Sequence, residues 1–224
     1  LLLLKIILIL SLEKFSFSSK NLESQEIHPE TFAGCISLTR IDIDGFGEFF
    51  NGSLPIISDL VSLSEIIITN TLVTGNVWPS INNQGSLSFV NVSNNNLSGA
   101  IPGYSNPSIK YLYLNNNSFT SFNSIDTPAL NQLFIQFNEI TGLFPDLSAL
   151  TDITFLYANN NQFNGYTPGS LQTMSSLSRL DFSVNNFGSS AVNSIINDLY
   201  LNYESNPRPG VIVNLEGNGV PGTL

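Results

Sequence analysis

One pattern recurs along this chain and leaves few folds open to it. Residues 87–97 read LSFVNVSNNNL, with apolar side chains at Leu87, Val90, Val92 and Leu97 and an amide at Asn95. The same positions hold Ile109, Leu112, Leu114, Asn117 and Phe119, then Leu130, Leu133, Ile135, Asn138 and Ile140. Two more copies follow: Ile153, Leu156, Ala158, Asn161 and Phe163, and Leu177, Leu180, Phe182, Asn185 and Phe187. A repeat every 21 to 24 residues is the mark of a solenoid, in which each unit buries its apolar face only by stacking on the next. Counting Leu87 as position 1, positions 4 and 6 alternate with polar neighbours, which is strand spacing. Position 9 falls where the chain turns inward. A buried turn strands backbone N–H and C=O groups at about 1–3 kcal/mol each, and an amide side chain, with two donors and an acceptor, can bond backbone above and below it. A column of Asn95, Asn117, Asn138, Asn161 and Asn185 is the expected result.

This pattern resembles the leucine-rich repeat family. A second signature lies between the strands: Phe50-Asn51-Gly52-Ser53-Leu54-Pro55, Thr74-Gly75 with Val77-Trp78-Pro79, and Leu97-Ser98-Gly99-Ala100-Ile101-Pro102. It returns as Ile140-Thr141-Gly142-Leu143-Phe144-Pro145 and Phe163-Asn164-Gly165-Tyr166-Thr167-Pro168. The G-x-Φ-P run is similar to that of the plant-type subclass, and bacterial surface proteins carry similar repeats. Gly permits the turn and Pro presets φ beyond it. The resemblance implies an α/β leucine-rich repeat solenoid, a curved horseshoe. It would carry a parallel β-sheet on its concave face, an irregular or 3-10 convex side and a C-terminal capping helix.

Three earlier stretches fit the template without the Asn: Leu12, Phe15, Phe17, Lys20 and Leu22; Leu38, Ile41 and Ile43 with Phe46; and Leu63, Ile66, Ile68, Thr71 and Val73. Their inner turns must be satisfied another way. Residues 1–11 are almost wholly apolar, too short to span a bilayer, which takes about 20 residues. They suit either a signal-peptide core or a strand covering the first coil. The array occupies 12–188, in about eight coils. In 189–224, Val192, Ile195, Ile196 and Leu199 fall on one helical face, with Ser189 or Ser190 as N-cap. Val211, Val213, Leu215, Asn218 and Val220 then supply a last strand and ladder Asn. This ending resembles the closing coil of bacterial and phage surface repeat proteins. Plant extracellular members usually close with paired cysteines, and this chain has Cys35 alone.

Composition narrows the chemistry. The net charge is −10 with seven Lys plus Arg, which disfavours nucleic acid and acidic lipid, since phosphate binding needs clustered cations. One Cys and one His cannot make a Cys/His zinc site. There is no G-x-S-x-G, phosphate loop or H-E-x-x-H, so the expectation is no catalysis and no cofactor. Asp42, Asp44 and Glu48 lack an EF-hand pattern and read as a solvated acidic edge. His28 reads as a surface residue. Asn51, Asn91, Asn96 and Asn116 head N-x-S/T sequons.

The informative residues are those that point away from the core. Position 5 reads Ser16, Asp42, Ile67, Asn91, Tyr113, Phe134, Tyr157, Asp181 and Asn214. Position 3 reads Lys14, Arg40, Glu65, Phe89, Tyr111, Gln132, Phe155 and Arg179. Phe89, Tyr111, Tyr113, Phe134, Phe155 and Tyr157, with Phe137 beside them, thus form one aromatic patch on neighbouring strands roughly 4.8 Å apart. Such a patch marks an interaction site or a ladder that stiffens the sheet. The resulting expectation is a secreted or surface-exposed recognition or adhesion module. Its ligand would be a protein or glycan, with no nucleic acid and no stable membrane insertion. The alternative is a structural spacer or assembly component of a larger surface or virion protein, self-associating through its repeat ends.

Overall fold

The computed structural model describes residues 13–19, 25–27, 31–45, 50–76, 81, 84–208 and 210–220. Residues 1–12, Lys20, Leu22, His28, Phe46, Glu48 and the run 77–79 lie outside them, and so do the expectations placed there. In chain order the strands are β1 (Lys14–Ser19), β2 (Gln25–Ile27), β3 (Arg40–Gly45), β4 (Phe50–Ser53), β5 (Glu65–Thr69), β6 (Leu72–Gly75), β7 (Phe89–Asn91), β8 (Asn96–Ile101) and β9 (Tyr104–Ser105). They continue as β10 (Tyr111–Tyr113), β11 (Ser118–Phe122), β12 (Ile125–Asp126), β13 (Gln132–Phe134), β14 (Thr141–Phe144), β15 (Phe155–Tyr157), β16 (Gln162–Tyr166), β17 (Arg179–Asp181) and β18 (Ile212–Asn214). Helix α1 (Ser189–Ser205) lies between β17 and β18.

The repeat strands assemble into one nine-stranded parallel sheet, β1-β3-β5-β7-β10-β13-β15-β17-β18. Position pairs with like position throughout: Leu112 faces Val90 and Leu133, and Leu156 faces Leu133 and Leu180. Positions 4, 6 and 11 are buried from the third coil to the eighth, in a single continuous core. The alternation therefore placed the apolar face correctly, because shifting a strand by one residue would turn every core side chain outward.

The asparagine column forms as a hydrogen-bonded ladder. Asn138 Nδ2 donates to Leu114 O at 3.2 Å in the preceding coil and to Ile135 O at 3.0 Å in its own, while its Oδ1 accepts from Phe119 N at 3.1 Å. Asn95, Asn117, Asn161, Asn185 and Asn218 repeat the two donations. Partners lie in the same and the preceding coil, so the ladder points one way along the solenoid rather than both above and below. Thr71 closes the third coil without an Asn. Its N–H donates to Asn95 Oδ1 at 3.1 Å, its hydroxyl bonds the same oxygen, and Val73 N donates to Thr71 Oγ1 at 3.2 Å.

Two features depart from the template. The segments after the inward turn are not irregular throughout. They pair in parallel as β11-β8-β6-β4-β2, with short pairs β12-β9 and β14-β16. Unequal coil lengths are absorbed by register shifts at Phe119/Ser121 and Gly142/Leu143. Gly99 and Gly142 take φ of +87° and +88° there, a region open to Gly at no steric cost. The helix begins at Gly188 rather than at a Ser cap. Gly188 is extended, makes no side-chain cap bond, and its C=O accepts from Val192 N at 3.0 Å.

Helix α1 is fastened to the coil before it by polar groups that its apolar face did not announce. Val192 and Ile195 are buried, and so are Asp198 and Asn202. The Asp198 carboxylate accepts from Tyr166 Oη at 2.5 Å, Gly169 N at 2.7 Å and Gln172 Nε2 at 2.8 Å. Asn202 donates to Leu171 O and Gln172 O, and accepts from Arg208 at 2.6 Å. Burial, then the neighbouring Asp198, pushes the Tyr166 hydroxyl far above the phenol range. It remains a donor at any physiological pH.

Two stability outcomes follow. Asn138→Ala should cost about 1–3 kcal/mol, and a thermal unfolding midpoint equal to the parent's would refute the ladder's weight. Asp198→Ala leaves Tyr166, Gly169 and Gln172 donors unmatched, and should cost about 1.5–3 kcal/mol. It should also weaken protection of α1 amides in hydrogen exchange before that of β10 or β13; uniform protection would show that the carboxylate is dispensable.

Candidate functional site

Positions 3 and 5 leave the sheet on the side away from the core, because successive strand residues point to opposite faces. Register sets them in two rows. Lys14, Arg40, Glu65, Phe89, Tyr111, Gln132, Phe155 and Arg179 pair in sequence at position 3, ending on Ile212. Ser16, Asp42, Ile67, Asn91, Tyr113, Phe134, Tyr157, Asp181 and Asn214 do so at position 5.

The rows divide into three zones. In the first, Arg40 donates to Asp42 at 2.7 Å and pairs with Glu65. The bond to Asp42, ahead of the pull of Glu65, raises the guanidinium above its ordinary value. Asp44 accepts from Thr69 Oγ1 at 3.2 Å and Asn70 Nδ2 at 2.8 Å. Asp42 and Asp44, expected as part of a solvated acidic edge, are thus engaged by the protein's own donors. Among the described residues no three His, Cys, Asp or Glu side chains gather as a metal site.

The middle zone is aromatic. Phe89, Tyr111, Tyr113, Phe134, Phe155 and Tyr157 are all half-buried, and the sheet brings all six together. Tyr113 stacks on Phe134 at 4.7 Å and 24°, and Phe134 on Tyr157 at 4.8 Å and 23°. Phe89 meets Tyr113 edge to face at 5.5 Å and lies 5.7 Å from Tyr111. Phe155 closes the run 6.4 Å from Tyr157. Both faces of the Phe134 ring are therefore covered by neighbours, and the stack turns ring edges outward. Tyr113 Oη donates to Gln132 Oε1 at 2.6 Å. Burial, with a smaller contribution from Tyr111, raises its pKa and keeps it a donor. Sequence reasoning placed Gln132 in its row but missed this role, because position 3 of one coil and position 5 of the previous one meet only in three dimensions.

In the third zone Asp181 accepts from Ser183 N at 3.0 Å, Ser183 Oγ at 2.6 Å and Asn214 Nδ2 at 3.4 Å. Arg179, on the same strand, is exposed. A second aromatic set is internal: Phe144 packs against Phe163 at 5.2 Å and Phe182 at 4.6 Å. Its rings sit at core positions and take no part in the face. Among the described residues no helix is long and apolar enough to cross a membrane.

No protein-family model matches the chain. It is 42% identical over 120 residues to Receptor like protein 21 of Arabidopsis thaliana, covering 50% of this chain and 12% of that protein. It is 28% identical over 180 residues to Receptor-like protein 47 of the same plant, covering 75% of this chain and 21% of that one. The chain thus spans about a tenth to a fifth of the length of these curated relatives. In fold it resembles a chain of the PEPR1–AtPEP1 crystal structure, with a TM-score of 0.57 at 21% identity over 83% of this chain and 30% of that chain. It also resembles a leucine-rich repeat protein of Leptospira interrogans, with a TM-score of 0.54 at 18% identity over 96% of this chain and 63% of that one. With its repeated strands stacked in register and its asparagines in a ladder, the chain has the fold of a leucine-rich repeat solenoid, as these structures do.

Proposed function

We propose that this chain is an extracellular recognition module, without catalytic chemistry, which holds a segment of another protein on the aromatic face. The observation that carries this reading is the run Phe89–Tyr113–Phe134–Tyr157, half-exposed and continuous across four strands. Large rings at solvent-facing positions are costly to leave wet unless something covers them. Tyr in particular anchors protein contacts. The names of the similar proteins, which are receptor-like proteins, agree with it, and so does a solenoid face that offers side chains from many coils to one extended ligand.

The stacking favours protein over glycan. A sugar packs on the open face of a ring, whereas Phe134 has both faces occupied at 4.7 and 4.8 Å. The edges that remain carry the positive rim of the ring quadrupole, which suits peptide carbonyls. The spacer reading draws on a different observation. Val220, at a position whose equivalents Leu97, Phe119, Ile140, Phe163 and Phe187 are buried, is 79% exposed, and Val213 beside it is also uncovered. Such an end would stack on another coil, in which case the aromatic run only stiffens the sheet.

The test uses the purified 224-residue chain against a phage-displayed library of random dodecapeptides and, in parallel, a glycan array. Peptides should be selected and glycans should not. Tyr113→Ala and Phe134→Ala should each weaken binding of a selected peptide by at least about 1 kcal/mol while circular dichroism stays that of the parent. Unchanged affinity in both leaves the stiffening ladder. The spacer reading expects sedimentation to show end-to-end oligomers that Val220→Glu abolishes; a monomer at all concentrations removes it.

A further inference from the structure

Two amide side chains stand among the rings, and in each the oxygen is already taken. Gln132 lies in row 3 between Tyr111 and Phe155, and shares a strand face with Phe134. Its Oε1 accepts from Tyr113 Oη at 2.6 Å. Asn91 lies in row 5 beside Tyr113, and shares a strand face with Phe89. Its Oδ1 accepts from Ser93 N at 3.1 Å and from Ser93 Oγ at 2.7 Å. Both residues are half-buried. Among the described residues, neither Gln132 Nε2 nor Asn91 Nδ2 has a protein acceptor. The other side chains at positions 3 and 5 of β7, β10, β13 and β15 are all Phe or Tyr, so nothing on this part of the face is ionised at neutral pH. An amide whose oxygen is filled offers donors alone. What the centre of the aromatic zone presents, besides ring edges and tyrosine hydroxyls, is two neutral N–H donor groups.

Resting on the recognition reading, we propose that Gln132 and Asn91 bind main-chain carbonyls of one extended protein segment lying across the aromatic stack. Any occupant that covers the rings strips water from both NH2 groups. A donor buried without an acceptor is costly, so an occupant that brings an acceptor to each is favoured and one that brings none is rejected. A main-chain carbonyl is the acceptor that every residue of a peptide carries, and it is neutral like the donors it meets. The spacing fits one chain. Asn91 and Gln132 stand two strands apart and two residues along, roughly 12 Å, which an extended chain covers in about four residues. Tyr113 is a positioning residue here. Its hydroxyl fixes the plane of the Gln132 amide, and a bond accepted at the amide oxygen strengthens the N–H as a donor. The carbonyls set the register of the segment, and apolar side chains against the ring edges set its sequence.

Asn91→Asp and Gln132→Glu keep the acceptor oxygens and remove the donors. Asp181 already makes the turn that Asn91 makes, accepting from Ser183 N and Ser183 Oγ, so Asn91→Asp should unfold at the parent's temperature. A synthetic copy of the dodecapeptide most enriched on the parent chain should bind each variant about tenfold more weakly. Gln132→Met, which is neutral, should weaken it as much and separates the lost donor from the added charge. Tyr113→Phe, which keeps the ring and releases the Gln132 amide, should weaken it by a smaller factor. Amide-to-ester replacement at successive peptide residues makes one carbonyl at a time a poorer acceptor. It should reveal two sensitive residues three or four apart, one losing its sensitivity in Asn91→Asp and the other in Gln132→Met. Parent affinity in Asn91→Asp, Gln132→Glu and Gln132→Met overturns the donor pair; the recognition reading then still stands if Tyr113→Ala weakens the same peptide. Esters without effect, with affinity following a carboxylate or amide side chain of the peptide, overturn the main chain as the source of the acceptors. Selection of no peptide, or of oligosaccharides alone, overturns this proposal and the recognition reading together.

Discussion

The two-way demand of each ladder asparagine is the constraint on which the remaining structure depends. An inward turn at every coil is what lets short parallel strands stack into a sheet, and that turn buries backbone carbonyls. Asn138 answers with bonds to Leu114 O and Ile135 O while accepting from Phe119 N. Every such set ties one coil to the coil before it. The ladder therefore has direction: the coil ending at Thr71 is closed by Asn95 from the next one, so a coil without its own Asn is tolerated when its successor has one.

With the core positions and the turn both committed, variation is confined to the outward rows. That confinement explains why one sheet face carries three chemistries in succession: an ion-paired zone around Arg40, an aromatic stack around Phe134, and a zone where Asp181 is bonded and, among the described residues, Arg179 is not. Strand separation of roughly 4.8 Å matches ring-stacking distance, so aromatic residues at position 5 of consecutive coils stack face to face by geometry alone. The same geometry hides their faces, which is what sets the chemistry such a surface offers.

The C-terminal end follows different rules. The long coil that contains α1 is held by Asp198, Asn202 and Arg208, which bond one another's neighbourhood and, beyond it, partners 26 to 34 residues away in sequence. A buried carboxylate with three good donors is stable, whereas the same carboxylate with one donor missing is not. The helix is consequently a specific fit to the preceding coil rather than a generic amphipathic lid. Beyond it the sheet resumes with β18 and Asn218 resumes the ladder.

The sequence by itself determined the coil register, the core rows and the ladder, because a strand period of two and a nearly constant coil length repeat the same local arithmetic at each turn. Every member of row 5, and of row 3 as far as Arg179, was readable before any coordinate, and so was the gathering of six aromatic side chains on one face. It did not determine what those side chains do to one another. Whether Phe134 offers a face or an edge, whether Tyr113 finds Gln132, whether Gln136 finds a donor and whether Phe137 must take left-handed backbone are set by rotamers and contacts between coils about twenty residues apart. The Gly188 start of the helix and the flanking parallel strands escaped for the same reason: local propensity named a serine cap, the family resemblance implied an irregular return, and tertiary pairing with the preceding coil overrode both. The repeat is decided along the chain, and the surface it displays is decided between coils.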